Sequence, residues 1–345
     1  MKMIWKIALM LLVGILAAGS ATGKTGGISC GAWVVYWDLE NGLEDATALN
    51  PTPDRLIVFE ALFGTDGHVV LEPQAEELLR EMQKSFPPEK IWLSVVNDLT
   101  LEKGGYSNKD KELLRELLLD PKKREEHVRE LTALAEEWQL KGLEIDYENI
   151  HEDRELWAGY TAFLKELHDE LKARGIALRA CLEWDCLLYT ELPKGPEYSI
   201  MCYTLYGYHS GPGPKADRTF LQKVAELYRE RKDCAMALAT GGFEWNGSRV
   251  ERELTEQAAE KALRSRNLKP ERDPNSGTLH GSYIQGGQTH EIWYADAVTL
   301  QGWIEILQEY GFEKFDFFRL GGNRTEDWNT LILSRQGAEE GGGLK

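Results

Sequence analysis

Three acids alternate with apolar residues in Lys141-Gly142-Leu143-Glu144-Ile145-Asp146-Tyr147-Glu148-Asn149. Successive side chains of a strand point to opposite faces, so Glu144, Asp146 and Glu148 share one face while Leu143, Ile145 and Tyr147 take the other. Like charges on one partly buried face repel, and desolvation disfavours ionisation. At least one of these acids is therefore expected to keep its proton above the usual carboxylate range. A protonated acid beside an ionised one can perform general acid catalysis on a glycosidic oxygen. The same string could be the polar outer face of an edge strand, and the acids with His151 could also ligate a hard cation. Acids on a strand diverge more than ligands wrapped on a loop, so no metal is expected.

The surrounding elements decide between these uses. Apolar and β-branched runs at 31–37, 55–61, 90–96, 142–147, 176–182, 198–204, 234–240 and 314–320 predict eight strands. Helical periodicity falls between them at 74–85, 109–138, 153–174, 217–231 and 296–310, the last capped by Asp296 and stopped by Gly311. Eight strands in one βα alternation predict an α/β protein with a (β/α)8 TIM barrel over 28–333. No glycine-rich nucleotide fingerprint follows the first strand. Residues 246–292 interrupt the rhythm with a helical stretch at 254–267, then two strands, 279–285 and 290–294, around Gly286-Gly287. This predicts a small α+β insertion between strands seven and eight.

On such a barrel Glu148 lies at the C-terminal mouth, where barrels of this kind place their chemistry. Trp37, Asn97, Trp184, Tyr206, Glu244 and Trp293 fall near other strand ends or loop entrances, and the loop from Gly207 to Pro214 follows strand six. Aromatic faces offer platforms for sugar rings, and amides and acids bond the hydroxyls.

A basic start, an apolar run from Ile7 to Ala18 and small residues through Ala21 read as a signal peptide over 1–21, which implies a secreted or cell-envelope protein. The stretch 334–345 is polar and glycine-rich and is expected to be disordered. A net charge of -17 opposes nucleic acid and anionic lipid but tolerates a neutral glycan. The five cysteines have no metal-binding spacing. Cys181, Cys202 and Cys234 lie in apolar runs and read as core residues, with a Cys181–Cys186 bridge left open.

The segment Gly142 to Glu148 resembles the fourth-strand signature of family 18 glycoside hydrolases, and most of all that of the bacterial spore-wall and cell-wall peptidoglycan hydrolases. Supporting matches lie at 32–38, 92–97, 201–203 with the Gly-Pro loop, 290–297 and Arg319-Leu320-Gly321. The resemblance implies a retaining hydrolase of N-acetylglucosamine-containing glycans, peptidoglycan before chitin-like oligomers, in which the substrate's own acetamido oxygen attacks the anomeric carbon. It casts Glu148 as proton donor, Asp146 as the ionised partner that orients the acetamide, Tyr203 as donor to its carbonyl, and Glu144 as the outer acid. It implies no cofactor, a glycan as partner and a monomer. Three departures stand out: Glu144 replaces an aspartate, Thr204 replaces an acid, and Phe318 replaces the tryptophan that floors the cleavage subsite. A catalytically silent lectin on the same barrel is the other function the fold allows.

Overall fold

The computed structural model describes residues 29–333, so the expected leader (1–21) and tail (334–345) lie outside the described residues. Eight strands close a parallel ring: Ser29–Val35, Arg55–Phe63, Ile91–Thr100, Gly142–Asp146, Ala177–Glu183, Glu197–Met201, Ala235–Ala239 and Lys314–Phe318. Each pairs with its neighbour in sequence order, and the eighth returns to the first with Ser29 opposite Lys314. This is the predicted (β/α)8 barrel.

Helix starts are set locally by aspartates. Asp110, Asp153, Asp217 and Asp296 each accept from the backbone N–H three residues on, at 2.8, 3.1, 2.8 and 2.9 Å, a cap worth ~1 kcal/mol each. The single helix expected over 109–138 is two, Lys111–Leu119 and Pro121–Glu137. Pro121 has no N–H to continue the first helix, and Asp120 caps the second through Lys122. Helix Leu39–Ala48, right after strand one, has no counterpart among the predicted elements. The crossover after strand five holds only a short 3-10 turn, Cys186–Leu188.

The insertion is a five-stranded antiparallel sheet with helix Glu256–Arg264 packed on it through Leu263, Ile292 and Tyr294. It begins at strand Gly241–Asn246, five residues before the expected boundary, and ends with Gln288–Ala295. Gly286 and Gly287, with φ of 60° and 78°, form the two-residue hairpin turn that their sequence predicts.

The barrel interior is charged at its centre. Arg179 of strand five lies under Trp33 and Trp92, its guanidinium carbon 5.2 and 5.8 Å from the ring centroids. Its Nε donates to Glu144 Oε2 at 2.6 Å and its Nη1 to Asp316 Oδ2 at 2.9 Å. Ser199 and the Trp33 indole complete the network, donating to Asp316 at 2.6 Å and to Glu144 at 2.7 Å. Below this layer a Cβ on Gly142 would fall 2.1 Å from Trp92, so only glycine lets the fourth strand pass the indole. All five described cysteines are free and buried, and Cys186 contacts the Tyr228 hydroxyl at 3.0 Å rather than bridging to Cys181.

Candidate active site

The alternation along strand four fixes who faces where. Tyr147 points outward to the helices, its hydroxyl 2.7 Å from His127 Nε2, while Gly142, Glu144, Asp146 and Glu148 climb the interior toward the mouth. Depth then separates the three acids. Glu144 has no exposure and is consumed by Arg179 and Trp33, so it lines neither of the cavities at the mouth and acts as an anchor of the strand, not as a groove residue. Asp146 is 6% exposed and lines a cavity of about 320 Å³ with Glu148, Tyr203, Trp37, Glu60, Lys109 and Phe318. Glu148, Tyr203 and Phe318 also line an adjoining cavity of about 460 Å³, with Glu183, Trp184, Tyr206, Lys215 and Phe243. The two cavities share these walls and form one groove across the barrel mouth.

The electrostatics differ from the expected division between the acids. Burial, reinforced by the Glu148 charge, pushes the Asp146 carboxyl well above the carboxylate range, against the pull of Lys109. Burial thus favours the protonated form of Asp146, where the resemblance expects an ionised partner. Glu148 instead faces an ammonium, with Lys109 Nζ 3.0 Å from its Oε1. Burial works against the Lys109 charge, but Glu148, Asp146, Asp98 and Glu60 outweigh it and raise that pKa. Burial also raises two further acids at the mouth: Glu60 is pushed up to about 7 and Glu183 to about 6, the latter although His151 Nδ1 lies 3.7 Å away. Tyr203 is raised well above its ordinary value, burial leading, so its phenol stays a donor.

Lys109 carried no signal in the sequence. Its backbone is left-handed, with φ of 52°, a conformation a non-glycine residue holds only when its surroundings impose it. Asp98 accepts its N–H at 2.8 Å and Asn149 donates to its carbonyl at 3.1 Å. Glu183 could have been found, because it is the acid that ends strand five on the side that becomes the mouth, whereas Glu60 lies inside the apolar run of strand two.

The predicted sugar-binding residues divide. Trp37, 49% exposed, Tyr206 and Phe318 all line the groove. Phe318 stacks on Tyr203 with centroids 6.1 Å apart at 14°. Asn97 does not face the groove: it is fully buried, donates to Glu148 O at 3.1 Å and accepts from Glu148 N at 3.0 Å, so it holds the backbone of that residue. Glu244 is also elsewhere. Because the insertion sheet begins at Gly241, alternation turns Phe243 to the groove and Glu244 to the opposite face, where it pairs with Arg252 and accepts from Tyr283. Trp293, paired across the strands with Phe243, stacks on His280 at 4.4 Å and lies outside both cavities. A larger cavity of about 870 Å³, lined by Asp45, Glu260, Arg264 and Arg324 among others, shares no lining residue with this groove. Two of its charged groups are tied within the protein, Arg324 to Glu260 at 2.8 Å and Asp45 to Gly321 N at 2.7 Å.

Comparison with known proteins places this architecture. The chain overlays the Bacillus cereus spore cortex-lytic enzyme SleL with a TM-score of 0.73 at 18% identity, covering 90% of this chain and 74% of that one. It overlays a chitinase from Chromobacterium violaceum with a TM-score of 0.74 at 17% identity, covering 91% and 100%. The chain has the chitinase fold. By sequence it is 24% identical over 308 residues to Bacillus subtilis YdhD, to which a sporulation-specific glycosylase activity is ascribed, covering 83% of this chain and 70% of that protein. It is 20% identical over 254 residues to the cortical fragment-lytic enzyme of Bacillus anthracis, covering 67% of this chain but only 57% of that protein. No family model matches the chain.

Proposed function

We propose that this protein is a family 18 glycoside hydrolase that cleaves N-acetylglucosamine-containing glycans, peptidoglycan in preference to chitin, by a retaining mechanism in which the substrate supplies the nucleophile. The observation that carries the reading is the meeting of Asp146, Glu148 and Tyr203 in one cavity at the C-terminal mouth of the barrel. Similarity to lytic enzymes of the spore cortex and to chitinases supports the substrate class.

In this reading the acetamido oxygen of the bound sugar attacks C1 while the C1–O bond breaks. Glu148 gives its proton to the leaving oxygen, and an oxazolinium forms. Water then attacks C1, Glu148 takes its proton, and the ring opens to a sugar of retained configuration. Asp146 Oδ1 is buried without a protein hydrogen-bond partner and is free to accept from the acetamide N–H. Burial and the Glu148 charge favour the neutral form of Asp146, which in this reading serves as a proton reserve for the donor. As positive charge grows on the oxazolinium, an ionised Asp146 becomes favoured and the reserve is released. The Tyr203 phenol donates to the acetamide oxygen, and Trp37 and Phe318 supply apolar walls.

The described residues contain no helix long and apolar enough to cross a membrane. Export through the segment 1–21 and action as a monomer on the cell wall complete the proposal. Release of N-acetylglucosamine-ended products from purified cell wall, read by mass spectrometry, with the β-anomer appearing first by NMR, is the expected result. Turnover that survives Glu148→Gln would remove Glu148 from the donor role, and a wild type that binds oligomers without cutting them would leave a lectin in the hydrolase's place.

A further inference from the structure

The cavity of about 460 Å³ in the groove holds a cation, Lys215, that no carboxylate of the described ion pairs takes up. Lys215 follows the loop Gly211-Pro212-Gly213-Pro214, and its carbonyl accepts from Leu205 N at 3.0 Å, which ties it to the exit of strand six. Gly213 is required here, since a Cβ would lie 2.5 Å from the Tyr206 ring that lines the same groove. The Lys215 ammonium sits 4.7 Å from the Phe243 centroid and reaches the Thr240 carbonyl at 3.4 Å, a long bond for a charged donor. The neighbouring cations are committed: Lys109 to Glu148 at 3.0 Å and Arg319 to Asp38 at 2.7 Å. Among the described ion pairs Lys215 has no carboxylate partner, although Glu253 lines the same cavity and acts on it at longer range. Burial, with Arg319 adding to it, lowers its pKa to about 8, so it remains largely charged at neutral pH in a place where water solvates it poorly.

A desolvated ammonium against an aromatic ring, opening on the cavity that also holds Glu148 and Tyr203, favours an anion with an apolar neighbour. The rest of that cavity carries Glu183, Asp185 and Glu253, so an anion is favoured only within reach of Lys215. A lactyl group has this composition, with a carboxylate for the ammonium and a methyl for the Phe243 ring.

We propose that Lys215 recognises a carboxylate carried by the glycan beside the cleaved bond, either the lactyl ether of a muramic acid residue or a carboxylate of its peptide stem, and so selects acidic wall glycan over neutral chitin. The proposal rests on the hydrolase reading and specifies its substrate. The test reads binding, in the Glu148→Gln protein, by titration calorimetry with three oligosaccharides of equal length: alternating wall glycan without peptides, the same glycan with peptides, and the neutral N-acetylglucosamine oligomer. Adding Lys215→Met is expected to lower the ratio of acidic to neutral affinity by about tenfold or more, the scale of one charge-assisted hydrogen bond, and Lys215→Arg to keep most of it. A loss on the peptide-free strand identifies the lactyl carboxylate, and a loss only on the peptide-bearing strand identifies the stem. An unchanged ratio, equal weakening of all ligands, or no binding of either acidic strand overturns the assignment. Binding is measured without turnover, so a wild type that fails to cleave would defeat the hydrolase reading and leave the Lys215 result standing on its own.

Discussion

Replacing Arg179 by methionine tests how the barrel holds its acids. Arg179, Glu144 and Asp316 are 1%, 0% and 1% exposed, and the guanidinium is the shared partner of both carboxylates. Methionine matches the length of the stem but leaves two carboxylates buried without a counter-ion. Breaking a buried pair in this way costs about 3–5 kcal/mol, and here two pairs are lost with the contacts to Trp33 and Trp92. Against a typical total of ~5–15 kcal/mol this is a large fraction, and the melting temperature should fall by roughly 2 °C or more per kcal/mol. Urea unfolding followed by tryptophan fluorescence and far-ultraviolet circular dichroism would show the midpoint falling at unchanged slope. The triple variant Glu144→Leu, Arg179→Met, Asp316→Leu should recover most of the loss, because apolar side chains of similar volume replace buried ion networks at little net cost. A loss below about 1 kcal/mol in the single variant, or a triple variant no better than the single, would refute the view that Glu144 is an anchor held by Arg179.

Three other outcomes follow from the same geometry. Asn97→Ala removes both side-chain bonds that hold the Glu148 backbone. It should destabilise by ~1–3 kcal/mol and lower kcat more than it raises KM, and an unaltered kcat would count against the positioning role. Tyr203→Phe removes a single donor from the groove and should reduce kcat by ~10²–10³-fold with the fold intact by circular dichroism. A reduction of less than threefold would exclude the phenol from the transition state. Glu256, 2% exposed, is pushed by burial from 4.5 up to about 7. The folded state thus holds a proton that the unfolded state releases, so this contribution is present below about pH 4.5 and is lost as pH rises through 7. A displacement of that size corresponds to about 3 kcal/mol. Glu256→Gln should therefore gain stability relative to the parent by that order between pH 4.5 and pH 8, and a pH-independent difference in urea midpoints would contradict it.

The period of two in residues 142–148 determined, without any structure, that three acids share a face and that Tyr147 leaves it. Eight apolar runs with helices between them determined the barrel, and a barrel places the end of strand four at its mouth. Local chemistry settled the Asp296 cap and the Gly286-Gly287 turn, because both depend on a few adjacent residues. What each acid does was decided by depth. Glu144 is an anchor because Arg179 and Asp316, 35 and 137 residues from their partners in this network, meet it at the barrel centre. The Asp146 carboxyl is raised because the closed ring buries it, and Glu148 faces Lys109 because a left-handed loop residue is pinned by Asp98 and Asn149. Glu244 was misplaced because a strand that changes sheets at Gly241 reverses which of its faces meets the groove. Alternation is a property of the chain itself, whereas burial and charge pairing depend on which distant segments the closed barrel brings into contact, and no local pattern encodes that.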